Sequence, residues 1–150
     1  MTKTEIITRL NENAPPVWTN MHTNVLDLDG PNFGAEQASA DMSFDISVDY
    51  CHSETIVQGG IVSAMLDSAM TCVLFGHFLS LPEPRWVQPA SLELKTNFLK
   101  VARLGAFHAK GRARRIGRTI AFQEGDLYQD GKLVATASTT SQLTFPERRI

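Results

Sequence analysis

The sequence predicts an α+β fold, an antiparallel sheet wrapped around one long central helix. Three observations lead there. From Gly59 to Gly76 the chain carries one charged residue, Asp67, and is otherwise apolar or small. Ile61, Met65, Ala69, Cys72 and Val73 fall at helical spacing while Val62, Leu66, Met70 and Leu74 make the other side apolar too, the pattern of a helix buried all round. Residues 40–50 alternate cleanly, and after residue 90 the chain reads as strands joined by short turns. A sheet that must cover its apolar face on a single apolar helix makes a two-layer domain.

Taken in order, residues 2–13 predict an amphipathic helix. Ile6, Ile7 and Leu10 form its stripe, Thr2 or Thr4 caps it and Pro15-Pro16 end it. Val17–His22 is an apolar connector containing Trp18. Asn24–Asp29 predicts a short strand closed by the turn Asp29-Gly30-Pro31-Asn32. Between Ala40 and Tyr50, Met42, Phe44, Ile46, Val48 and Tyr50 share one face and Asp41, Ser43, Asp45, Ser47 and Asp49 the other, as in a half-buried strand. A loop, His52–Thr55, leads to the central helix, and Leu79–Pro89, with its prolines and Trp86, forms a second loop. Three or four antiparallel strands complete the chain. Ser91–Leu99 turns Leu92, Leu94 and Phe98 inward; Ala106–Ile116 is basic and ends at Gly117; Thr119–Gln129 follows; Asp130-Gly131 is a two-residue hairpin signal; Lys132–Thr144 is last.

The totals restrict function. One domain, 1–150, is expected, with 1–22 as its N-terminal helix and connector. A chain 43% hydrophobic, 20% charged and of net charge −2 is an ordinary globular composition, which points to neither nucleic acid nor a membrane surface. Asp67 argues against reading residues 59–76 as a membrane span. Two cysteines make no disulfide framework, and the first ten residues hold no apolar core of signal-peptide length, so a cytoplasmic setting is expected.

Chemistry concentrates on the central helix. A helix start offers unpaired N–H groups and partial positive charge, and at Gly59 and Gly60 a ligand oxygen meets no side chain, which suits polarising a carbonyl; a close-packed turn is the bland alternative. Asp67 is costly to bury unless it is paired or used. Gly59 and Asp67 are eight residues apart, roughly 12 Å at 1.5 Å per residue. One carbonyl cannot touch both on one helix, whereas two antiparallel helices across a two-fold axis bring one's glycine to the other's aspartate. Ser63 and Ser68 lack a nucleophile-elbow pattern, Cys72 fits core packing, and His22, His52, His77 and His108 have no metal-ligand spacing. Lys110, Arg112, Arg114, Arg115 and Arg118 read either as charges guarding an edge strand or as a phosphate clamp.

Gln58-Gly-Gly-(x)4-Met-Leu-Asp-Ser-Ala-Met resembles the His-Gly-Gly-(x)5-Leu-x-Asp-x-Ala signature of hotdog-fold acyl-CoA thioesterases, in the phenylacetate-pathway (PaaI-type) branch. The resemblance continues through Ser91-Leu-Glu-Leu-Lys-Thr-Asn-Phe-Leu-Lys, Leu104-Gly105, Arg115-Ile-Gly-Arg and Asp130-Gly-Lys-Leu-Val-Ala-Thr-Ala, so that residues 40–144 are covered in order. It implies a hotdog fold and hydrolysis of acyl-CoA thioesters to free acid and CoA, with CoA a leaving group and no retained cofactor. It implies a homodimer, or a dimer of dimers. By position it implies that the Gly59 N–H binds the thioester carbonyl, with Gly60 and His52 beside it, and that Asp67 of the neighbouring subunit is nucleophile or general base. Thr71 and Ser91 fall where some members hold a hydroxyl near the attacking water, and the Arg115-Ile116-Gly117-Arg118 turn where members hold the nucleotide of CoA. Gln58 replaces the usual histidine and His52 a frequent asparagine; Gln58 can orient the thioester or the water but cannot supply a proton. A hotdog hydratase or dehydratase and a non-catalytic acyl-CoA-binding module are the rival functions.

Overall fold

The structure, a computed structural model, describes residues 1–29 and 38–146. Helix α1 (Lys3–Glu12) opens on a reciprocal cap: the Thr2 hydroxyl accepts from the Glu5 N–H and the Glu5 carboxylate accepts from the Thr2 N–H. Ile6 and Leu10 are buried, and the Asn11 amide holds both main-chain groups of Val25 at 2.8 and 3.1 Å, fastening the helix to the first strand. The connector that follows contains a short helix, α2 (Pro16–Asn20), which the sequence reading missed. Helix α1 already ends at its cap Asn13, ahead of Pro15-Pro16, and Pro16 instead starts α2, because its fixed φ and missing N–H suit a first turn. Trp18 is buried there.

Among the described residues six strands form one antiparallel sheet: β1 (Asn24–Asp29), β2 (Ser39–Ile46), β3 (Gln88–Phe98), β4 (Gly105–Ile116), β5 (Ile120–Gln129) and β6 (Lys132–Thr144). Their spatial order is β1-β2-β4-β5-β6-β3, leaving β1 and β3 as edges. The β5–β6 hairpin turns at Asp130 (φ 51°) and Gly131 (φ 72°), the two positive-φ residues that its signal demanded. The turn expected at Asp29–Asn32 lies outside the described residues beyond Asp29.

Helix α3 (Gly59–Leu79) lies in the curve of the sheet. At the closest approach a Cβ on Gly111 of β4 would stand 2.3 Å from the Ala69 carbonyl oxygen, so the strand can seat the helix only as glycine. Leu66 and Met70 fill the next position, against Gly125 of β5. Each such fully buried side chain contributes about 1.5–3 kcal/mol by leaving water. The helix is long and apolar enough to cross a membrane, yet the sheet buries most of it as a core element.

Four expectations need correction. The strand over Ala40–Tyr50 stops at Ile46, which pairs with Gly105 at the start of β4; beyond it no strand among the described residues offers a partner, and Val48–Tyr50 coil into a 3-10 turn. The basic strand β4 is not an edge but lies between β2 and β5. Leu92, Leu94 and Phe98 are 57%, 38% and 58% exposed, although Phe98 stands over the helix start. Finally, α3 is not buried all round. A stripe of Gly60, Ser63, Ala64, Asp67 and Thr71 stays half-buried or exposed, at the helical spacing of one face.

Candidate active site

The open stripe of α3 lies along β3, which runs antiparallel to it. Three contacts define the alignment. Phe98 is against Gly59, the Ser63 and Thr96 hydroxyls are 2.9 Å apart, and Ser91 Oγ donates to Asp67 Oδ1 at 2.8 Å. Helix and edge strand are thus joined by two side-chain hydrogen bonds, with the carboxylate at the second. Asp67 is half-buried, and its other oxygen accepts from no group among the described residues. A carboxylate held by one oxygen and free at the other is oriented, and still able to take a proton from water or to attack a carbonyl. Thr71 follows one turn later on the same stripe, also half-buried.

The helix start forms a second group. The Gln58 side-chain oxygen accepts from the Gly60 N–H, capping the helix as a Ser or Asp does elsewhere. The Ile61 and Val62 N–H groups bond to the Gln58 carbonyl, and the Gly59 N–H donates to nothing among the described residues. The one amide left free is therefore the one expected to receive a carbonyl oxygen. It opens on a pocket of about 450 Å³ lined by His52, Ile56, Val57, Gly59, Val62 and Phe98, among others. His52 and Gly59 are brought together there; Gly60 and Gln58 adjoin them through the cap.

Asp67 is not part of this pocket. Within one protomer it stands eight residues further along the helix, roughly 12 Å away. Arg115, Gly117 and Arg118 form a third location, the β4–β5 turn, whose Ile116 packs in the cluster holding Leu74 and Phe78 at the far end of α3. The turn is closed by the Gly117 N–H donating to the Ile120 carbonyl at 2.8 Å. Arg112 and Arg114 are spent on Asp126 (2.8 Å) and Glu124 (3.7 Å), and the Asp126 hydrogen bond raises the Arg112 pKa further. Arg115 and Arg118 are exposed and carry no ion pair among the described residues. The single protomer therefore presents three separate groups rather than one completed centre. Cys72 lies outside them all, its thiol pushed well up by burial and so inert at neutral pH.

The sequence reading missed two features. Thr96, with Ser63, makes the other strand-to-helix bond; nothing in the linear pattern distinguished it. Gln123, 1% exposed on the inward face of β5, was legible as a polar residue on the apolar phase Ala121, Gln123, Gly125, Leu127.

Comparison with known proteins agrees with this architecture. The family model of the thioesterase superfamily matches residues 55–136, which hold α3, its free amide, Asp67 and Ser91. The chain belongs to the thioesterase superfamily. The structure of a phenylacetic acid degradation-related protein of Ralstonia eutropha is 26% identical, covers 91% of this chain and 98% of its own, and superposes with a TM-score of 0.73. The PaaI protein of the Escherichia coli phenylacetic acid degradation operon is 12% identical with a TM-score of 0.74, covering 92% of this chain and 91% of its own. A thioesterase of Haemophilus influenzae is 15% identical with a TM-score of 0.71, covering 97% and 92%. These likenesses establish the hotdog fold. No curated protein matches the chain.

Proposed function

We propose that this protein hydrolyses acyl-CoA thioesters as a homodimer whose two active sites are each built from both subunits. The observation that carries this is the division of the site: a free Gly59 amide over a pocket and an oriented Asp67 carboxylate sit on one helix, too far apart for a single carbonyl to reach both. The edge strand β3 supports a dimer formed by apposition of two copies along it. This strand is an 11-residue sheet edge with exposed Leu92, Leu94 and Phe98, and pairing it with its own copy would cover both the apolar side chains and the unpaired edge.

In this scheme the thioester carbonyl oxygen docks on the Gly59 N–H at the positive end of α3, where negative charge developing on that oxygen is stabilised. The Gln58 cap on Gly60 holds the turn in that geometry, and His52 borders the acyl-thioester pocket. Asp67 of the second subunit, aimed by Ser91, takes a proton from water or attacks the carbonyl itself, with the Thr71 hydroxyl beside the water. The C–S bond breaks, CoA leaves as its thiol, and water supplies the acid's second oxygen. Arg115 and Arg118, with no carboxylate partners among the described residues, would hold CoA phosphates at the Gly117 turn. Both cysteines are free, which suits a reducing cytoplasm.

The deciding experiment is a panel of aliphatic and aryl acyl-CoAs with a thiol-reagent readout. Stoichiometric release of CoA and free acid is expected for at least one member. Tight binding without thiol release would leave a binding module, and a gain of water by an enoyl-CoA would indicate a hydratase.

A further inference from the structure

The inward face of β5 and β6 should be apolar, since it packs on α3. It nevertheless carries Gln123, Thr139 and Ser141, which are 1%, 3% and 1% exposed. Polar groups buried this deeply cost free energy unless they are fully bonded. Gln123 is not: Nε2 donates to Ser141 Oγ at 3.2 Å, and Oε1 has no partner among the described residues. Leucine or methionine would fill that volume without an orphaned oxygen. Local rules are broken most often where a site requires it.

The position of the three residues suggests the requirement. Ser141 is the cross-strand partner of Ser91, and Thr139 that of Leu94. Between those pairs the β3–β6 register shifts, at Ser91/Glu93, and Leu92 has no partner. Ser91 and Thr96 are five residues apart and in a regular strand would face opposite sides; the bulge inverts the side-chain phase between them, so that both can face α3. Both do face it, bonded to Asp67 and Ser63. The displaced strand is fastened from β6: Thr139 Oγ1 donates to the Glu93 carbonyl at 2.8 Å and Thr140 Oγ1 to the Glu93 carboxylate at 2.9 Å. Cross-strand Cβ atoms lie about 4.5–5.5 Å apart, which makes Ser141, its hydroxyl oxygen engaged by Gln123, the register neighbour of Ser91 on β6.

We infer that Gln123, Ser141 and Thr139 are positioning residues, a buried polar bracket that sets the bulge in β3 and through it aims Ser91 at the Asp67 carboxylate. None of them touches the reacting atoms. The kinetic part of this inference rests on the thioesterase reading above; the geometric part does not.

Gln123→Leu, Ser141→Ala and Thr139→Val test it, with Thr139→Ser as the conservative control. Each of the first three is expected to lower kcat about tenfold or more, as small misplacements do, while KM changes little. Tm should not fall in proportion, and Gln123→Leu should leave it level or raised. Thr139→Ser keeps the hydroxyl and should restore kcat. In a Ser91→Ala background, Gln123→Leu should cost nothing further, because it acts through the group already removed. Unchanged kcat in Gln123→Leu and Thr139→Val, or fully additive losses with Ser91→Ala, overturns the inference. A crystal structure of each variant decides the geometry without reference to activity. Displacement of Ser91 Oγ out of hydrogen-bond reach of Asp67 supports the bracket, and an intact contact refutes it. Should the wild-type protein release no CoA from any acyl-CoA, the thioesterase reading fails and the crystallographic outcome still stands for or against the bracket.

Discussion

Ser91 Oγ donates a 2.8 Å hydrogen bond to Asp67 Oδ1, across the gap between an exposed edge strand and the helix it flanks. That bond orients the carboxylate, whose other oxygen accepts from no group among the described residues. Replacing Asp67 by Asn keeps the shape and a partner for Ser91 but removes the base and the nucleophile. Turnover of acyl-CoAs should fall by about 10²–10⁴-fold, the usual worth of a positioned acid–base group. Ser91→Ala keeps the carboxylate and loses only its orientation, so the loss should be smaller. Steady-state thiol release measures both, and sedimentation should show the oligomer unchanged. Full activity in Asp67→Asn would remove Asp67 from the mechanism.

The seat of α3 on the sheet is as demanding as the site. A Cβ on Gly111 would meet the main chain of Ala69 and Met70 at 2.3–2.9 Å, and backbone on both sides leaves no side chain to swing away. Gly111→Ala should therefore cost about 1–3 kcal/mol or more, the range for forcing an added methyl into a packed core. The urea midpoint should drop with the slope unchanged. Gly131→Ala, whose Cβ would enter open space at φ 72°, carries only backbone strain and should cost less.

Much of this was legible beforehand where one residue's neighbours in sequence decide its environment. The alternation from Ala40 to Ile46 needs only a half-buried strand, and the Asp130-Gly131 turn needs only two residues that tolerate positive φ. The pattern became ambiguous where partners are distant. Val48 and Tyr50 continue the alternation, but β4 begins at Gly105 and gives them nothing to pair with. Leu92, Leu94 and Phe98 read as core residues because apolarity alone does not say whether the fold buries a side chain, and the chain leaves them exposed. Asp67 was found because a lone charge stands out in an apolar helix. Its partner Ser91 is one of many serines and emerged only through the family pattern. The bulge at Leu92, which no linear pattern announces, is what brings the two together.

The last turn of α3 predicts a pH response. Burial lowers the His77 pKa below its ordinary 6.5. Between the folded value and 6.5 the unfolded chain therefore holds more protons than the folded one, so stability rises with pH through that window and is lost as pH falls through it. Chemical denaturation at about pH 7 and about pH 5, which bracket ordinary histidine titration, should show the wild type weakening in acid. His77→Gln, with no ring to protonate, should show a smaller change. Equal pH dependence in the two proteins would free His77 of this role.

The composite site makes the strictest prediction, because it can be tested by mixing two inactive proteins. Asp67→Asn spoils the acid and leaves the Gly59 amide; Gly59→Val narrows access to that amide, beside Phe98, and leaves the acid. If each site takes its amide from one chain and its acid from the other, a mixed dimer has one doubly damaged site and one intact site. Random re-pairing makes half of the dimers mixed, so activity should recover to about a quarter of wild type. Leu94→Lys, which places a charge on the exposed edge strand, should weaken the dimer and lower hydrolysis in parallel as the protein is diluted. Were amide and acid to act within one chain, mixing would restore nothing and the dissociated subunit would keep its turnover.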